Sequence, residues 1–111
     1  MKADYVIQQG EELSLSLIAI EGDISDVVEA SAVLKHAGPN GSAPGVSAPI
    51  VATFNVSDAE APDLGWQFNL AEADTEVLKP GFYVTNAKLE LVSGGPLKTD
   101  HLLIEVKASV T

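Results

Sequence analysis

Apolar and polar residues alternate one for one through most of this chain, and that period limits what it can fold into. Leu13, Leu15 and Leu17 alternate with Ser14 and Ser16. Ile50, Ala52, Phe54 and Val56 do so with Thr53 and Asn55, and Trp66, Phe68 and Leu70 with Gln67 and Asn69. Tyr83, Thr85, Ala87, Leu89 and Leu91 form the longest run, and Leu102, Ile104, Val106, Ala108 and Val110 the last. A period of 2 places successive side chains on opposite faces of a pleated strand, so each run reads as a strand with one dry and one wet face. Tyr5 to Gln9, ending at Gly10, suits a short edge strand. Val28 to His36 carries Val28, Ala30, Ala32 and Leu34 on one parity. The same residues admit a helix, but the regular strand spacing favours a strand.

The connections agree with a β architecture. Residues 37–49, "AGPNGSAPGVSAP", form a long loop of glycine, proline, serine and asparagine. Residues 57–65 are polar and rich in turn formers, and "SGGP" at 93–96 is a hairpin-type connection. About seven strands in 111 residues predict an all-β fold, one domain over 1–111: an antiparallel sandwich of the immunoglobulin-like or fibronectin-like kind. The stretch "LKPGFYVTNAKLEL" sharpens this. In such sandwiches a tyrosine near the start of the sixth strand bonds backbone a few residues upstream and locks the crossing between sheets. Pro80 and Gly81 supply the bend, Tyr83 the anchor and Leu78 a pin from the core side. Trp66, Phe68 and Phe54 are the expected aromatic core.

Charge narrows the partners. Sixteen acids face six lysines, a formal net charge of −10, which repels phosphate backbones and anionic membranes. Nucleic acid is therefore not an expected partner, nor is membrane insertion, since no apolar stretch approaches a bilayer span. With no cysteine, disulfides, thiolate metal sites and thiol nucleophiles are excluded. The first residues lack a basic n-region and an apolar h-region, so no secretory signal is visible. The opening methionine and a last strand running to Val110 and Thr111 read as a complete product.

An immunoglobulin-type strand order brings Glu21, Asp23 and Asp26 to the same end as Asp58, Glu60 and Asp63. Asp23, Asp26, Asp58 and Asp63 are weak candidates for a calcium cage, because hard oxygen ligands suit that ion, but no EF-hand spacing is present. A solvated acidic rim is the simpler reading, and no cofactor is expected. Glu72, Asp74 and Glu76 fall at the other end. His36 and His101 are the only histidines, and both read as exposed strand-end residues rather than catalytic bases. No G-x-S-x-G, Walker A or HExxH motif occurs, so an enzyme is not expected. Val33, Val51 and Leu103 are outward apolar residues that suit contact with a neighbouring chain.

Taken in order, "QQGEELSLSLIAI", "EGDISD", "LGWQFNL", "DTEVLKPGFYVTNAKLEL" and "SGGPLKTDHLLIEVKASVT" span nearly the whole chain. Together they resemble the small immunoglobulin-like β-sandwich structural proteins of tailed phages and prophages. The resemblance implies an adaptor, decoration or fibre-attachment module, located in the virion and made in the bacterial host cytoplasm. It implies binding to other virion proteins, assembly as a homo-oligomer, and no catalytic residues. The alternative is a carbohydrate- or cell-surface-binding module, with Trp66 or Tyr5 stacking on a sugar ring and calcium stiffening the loops.

Overall fold

The computed structural model describes residues 2–18, 27–45, 47–58, 65–92 and 94–110. The alternating runs pair into two sheets. In the smaller sheet β2 (Leu13–Ile18) lies beside β6 (Gly65–Leu70), and β6 beside β5 (Asn55–Asp58), all antiparallel. The larger sheet runs β1 (Tyr5–Gln8), β9 (Leu102–Lys107), β7 (Gly81–Leu91), β3 (Val27–His36) and β4 (Ala52–Thr53), with β8 (Pro96–Lys98) also on β7. Every pairing is antiparallel except the edge pair β1–β9, which is parallel.

Register turns the alternation into a core. Leu13 lies opposite Leu70, Leu15 opposite Phe68 and Leu17 opposite Trp66, so the inward residues of the smaller sheet form continuous rows. In the larger sheet Ala32 is opposite Ala87, and Tyr83 sits between His36 and Ile104. Leu13, Leu15, Phe54, Phe68 and Leu70 meet Leu34, Tyr83, Ile104 and Val106 between the sheets. Each large side chain buried there is worth about 1.5–3 kcal/mol of apolar transfer. The strand reading of Val28 to His36 holds.

Four details differ from the alternation. The run from Ile50 to Val56 is two strands, because the chain changes sheets in its middle. Val51 N–H donates to Leu34 O at 2.8 Å and Phe54 N–H to Ala32 O at 3.0 Å, after which β5 bonds to β6. Phe54 is buried at the crossing, while Ile50 and Val56, expected on the same dry face, are exposed. Val28 is 68 % exposed, since a register shift between Val27 and Glu29 re-aims the start of β3. β9 stops at Lys107, the last residue that β1 pairs, leaving Val110 in water. The hairpin after β7 returns as β8, only three residues long, before the chain bulges at 99–101 into β9.

The crossing from β6 to β7 fixes the corner. Its middle is α1 (Glu72–Glu76), one helical turn whose Thr75 is fully buried. The Thr75 hydroxyl donates to Glu11 O at 2.7 Å and to Glu72 O at 3.1 Å, tying the crossing to the β1–β2 turn. Gln9 Nε2 donates to Leu78 O at 2.7 Å from the same turn. The Tyr83 hydroxyl donates to Lys79 O at 2.6 Å, and the residue is 1 % exposed. Leu78 is buried beside it and Pro80 is exposed on the bend. Gly81 has φ +155°, a backbone conformation that side-chain-bearing residues rarely adopt. Burial pushes the Tyr83 phenol above its ordinary titration range, because the phenolate would lose its water.

Candidate interaction surface

The outward residues of β3, β7 and β8 build an open cleft. Lys35 is opposite Val84, Val33 opposite Asn86, and Ser31 opposite Lys88, which is in turn opposite Lys98. These side chains share the outer face of the larger sheet by strict alternation. The connection from β3 to β4 supplies a wall. It turns through Pro39–Gly41 and brings Pro44, Gly45 and Ile50 to the cleft, with Lys35 Nζ donating to Gly45 O at 3.3 Å. The open cleft has a volume of about 610 Å³. Its floor is Val33, Val84 and Asn86, and its rim holds Lys35, Lys88, Lys98 and His101.

Lysines gather at this cleft. Three of the six lysines line one cleft of a chain that carries sixteen acids. Lys88 Nζ meets Glu90 Oε1 at 3.0 Å, but both side chains are about half exposed, so the pair holds its geometry weakly. The floor is stiffer. Asn86 Nδ2 donates to Thr99 O at 3.2 Å, and Thr99 Oγ1 accepts from Ala87 N–H at 2.9 Å. These bonds keep the chain on β7 across the break between β8 and β9. The surface can hold carboxylates by charge on an apolar floor.

The residues singled out by sequence fall in different places. Phe54 and Phe68 are core, whereas Trp66 packs against the core but remains half-buried. Val33 lines the cleft and Val51 packs against the core, and with Leu103 both are half-buried rather than free apolar surface. His36 is opposite Tyr83 and stacks on its ring, with centroids 4.9 Å apart. His101 is exposed at the cleft rim. Asp58 ends β5 and is exposed, while Glu21, Asp23, Asp26, Glu60 and Asp63 lie outside the described residues. Among the described residues no three histidine, cysteine, aspartate or glutamate side chains group to hold a metal ion, and no helix is long and apolar enough to cross a membrane. Glu72, Asp74 and Glu76 are exposed on α1. Sequence reasoning missed the lysine cleft, although the even-numbered parity of β7, Val84, Asn86 and Lys88, already marked one outer row.

No protein-family model matches the chain, and no curated protein is similar enough in sequence to count as a relative. Solved structures are similar in fold. CopC from Methylosinus trichosporium OB3b aligns with a TM-score of 0.52 at 12 % identity, over 99 % of this chain and 89 % of that one. Murine CRIg aligns with a TM-score of 0.40, also at 12 % identity, over 97 % of this chain and 95 % of that one. With the sheet order and the tyrosine corner, the likeness to CopC defines the class: an immunoglobulin-like β-sandwich. Identity this low speaks for the fold alone.

Proposed function

We propose that the chain is a non-enzymatic structural module, a phage or prophage virion component that works by binding other virion proteins. The observation that carries the contact role is the lysine-lined cleft. A protein of net charge −10 gathers three of its six cations over one stiff outer sheet face, a surface suited to an acidic segment of a neighbouring protein. The virion assignment rests on the full-length motif order, from "QQGEELSLSLIAI" to "SGGPLKTDHLLIEVKASVT".

The test is direct mixing. Products of the genes flanking this one are purified and combined with it, and complexes are read by size exclusion with light scattering at low and moderate salt. The expected result is a stable complex with at least one structural neighbour, weakened by salt and by Lys35→Glu with Lys98→Glu. Flanking genes unrelated to terminase, portal or tail proteins, together with no complex at tens of micromolar, would overturn the reading.

A further inference from the structure

Besides β2, the strands β1, β4, β5 and β8 lie at sheet edges among the described residues, and each is blunted, β8 by its three-residue length with Pro96 and Lys98. β4 is two residues long, β1 is four, and β5 is four and ends in Asp58. Short strands and charges are the usual protections against edge-to-edge pairing. β2 has neither. It is six residues, "LSLSLI", with no charge, proline or glycine, and among the described residues its only ladder partner is β6. Beside it the gap between the sheets opens as a mainly apolar cleft of about 220 Å³, lined by Leu15, Leu17, Phe68 and Leu102 and also by Thr99 and Asp100. Leu17 stays half-buried there, although Leu13 and Leu15 on the same face are buried.

The occupant is written into the strand. Leu13-Ser14-Leu15-Ser16-Leu17 reads the same in both directions. An antiparallel two-fold pairing centred on Leu15 sets Leu13 opposite Leu17, Ser14 opposite Ser16, and Leu15 opposite itself. Every leucine then meets a leucine on the core face, and every serine a serine on the wet face, where Ser14 and Ser16 are already exposed. A symmetric interface requires such self-complementarity. Charge selects the direction. Glu11 and Glu12 precede β2, and parallel pairing would set them beside their counterparts, whereas the antiparallel register holds the two copies of Glu12 roughly 20 Å apart. Beyond a Debye length at physiological salt that repulsion is largely screened.

We infer that a second copy of this chain is the partner of β2, joining the two smaller sheets into one continuous six-stranded sheet, β5-β6-β2 followed by β2-β6-β5 of the second copy. The inference deepens the contact role proposed above and rests on it, but it uses the edge of β2 rather than the lysines of the cleft, although the two clefts share Asn86 and Thr99. The dimer covers the exposed part of Leu17 and closes the open side of both apolar gaps. Main-chain bonds supply the pairing, as in other strand-addition contacts.

The absence of native cysteine makes the register directly testable. Ser14→Cys and Ser16→Cys proteins are prepared separately, oxidised mildly alone and mixed, and read by non-reducing gel and mass. The expected result is a crosslinked dimer from the mixture and at least tenfold less from either variant alone, because Ser14 faces Ser16 across the axis. Sedimentation supplies the second readout. Ser14→Glu with Ser16→Glu is expected to raise the dimer dissociation constant about tenfold or more. The control Ser47→Glu with Ser57→Glu, at exposed sites with the same added charge, leaves it unchanged. A protein that stays monomeric to hundreds of micromolar, crosslinking without preference for the mixture, or equal effects of the two charge pairs would each overturn the inference. A monomer that still binds a virion neighbour would sink the β2 dimer alone and leave the proposed function standing.

Discussion

Replacing Tyr83 by phenylalanine removes one oxygen and leaves the packed ring in place, so it isolates the hydrogen bond that locks the corner. The hydroxyl donates to Lys79 O at 2.6 Å from a residue that is 1 % exposed. A neutral hydrogen bond contributes about 0.5–1.5 kcal/mol net, and an acceptor left without its donor adds part of its desolvation penalty. Lys79 is exposed, so water reaches its carbonyl in part and keeps that penalty small. The sum is about 1.5 kcal/mol. For 111 residues at ~2.1 cal/mol/K each, the unfolding entropy is near 0.23 kcal/mol/K, which converts the loss to about 6 °C in Tm. Thermal unfolding by circular dichroism and urea unfolding followed by Trp66 emission both read it, with an unchanged urea slope showing that only stability moved. Tyr83→Ala removes the ring as well and is expected to cost about 3–5 kcal/mol. A phenylalanine variant within about 1 °C of the parent would refute the view that the phenol locks the crossing between the sheets.

The same residue sets an alkaline limit. Burial holds the Tyr83 phenol above its ordinary value, so the unfolded chain gives up that proton first. The contribution is therefore complete below about pH 10 and is lost as pH rises through the folded value. Urea midpoints measured between pH 8 and 11 should fall more steeply for the parent than for Tyr83→Phe, and parallel curves would contradict the assignment. The change of sheets in mid-run makes a second contrast. Phe54→Ala should cost about 3–5 kcal/mol, while Val56→Ala, two residues on and exposed, should cost less than about 1 kcal/mol. Equal losses in urea unfolding would mean that the run is one strand with one dry face.

Period, turns and the corner were legible because each depends on neighbours in the chain. Alternation places Leu13, Leu15, Phe68 and Leu70 inside whatever the strand order, and the proline–glycine pair ahead of Tyr83 marks a bend by its own dihedral limits. What was not legible depends on pairing across the chain. Nothing between Ile50 and Val56 says that hydrogen bonds pass from Ala32 and Leu34 to β6 within three residues, because the side-chain pattern is the same before and after the switch. Thr75 was hidden for a related reason: a threonine in an acidic turn looks solvated until the β1–β2 turn brings the carbonyl of Glu11 against it.

The surfaces obey the same division, and this bears on which of them is the stronger guide to function. The lysine cleft draws on positions 35, 88 and 98, which alternation assigns to outer faces but only the register of β3, β7 and β8 brings side by side. It is a property of the assembled sheet, stiffened from beneath by Asn86 and Thr99. The β2 edge is the reverse case. Its palindrome and its lack of charge are visible in five residues, yet they matter only because β1 pairs with β9 on the other sheet and leaves β2 with β6 as its only ladder partner among the described residues. Had β1 paired with β2 instead, the same five residues would be an ordinary inner strand. Of the uncharged edge strands among the described residues, β1, β4 and β2, the last is the longest at six residues, and that length is what suits it to the second copy proposed as its partner.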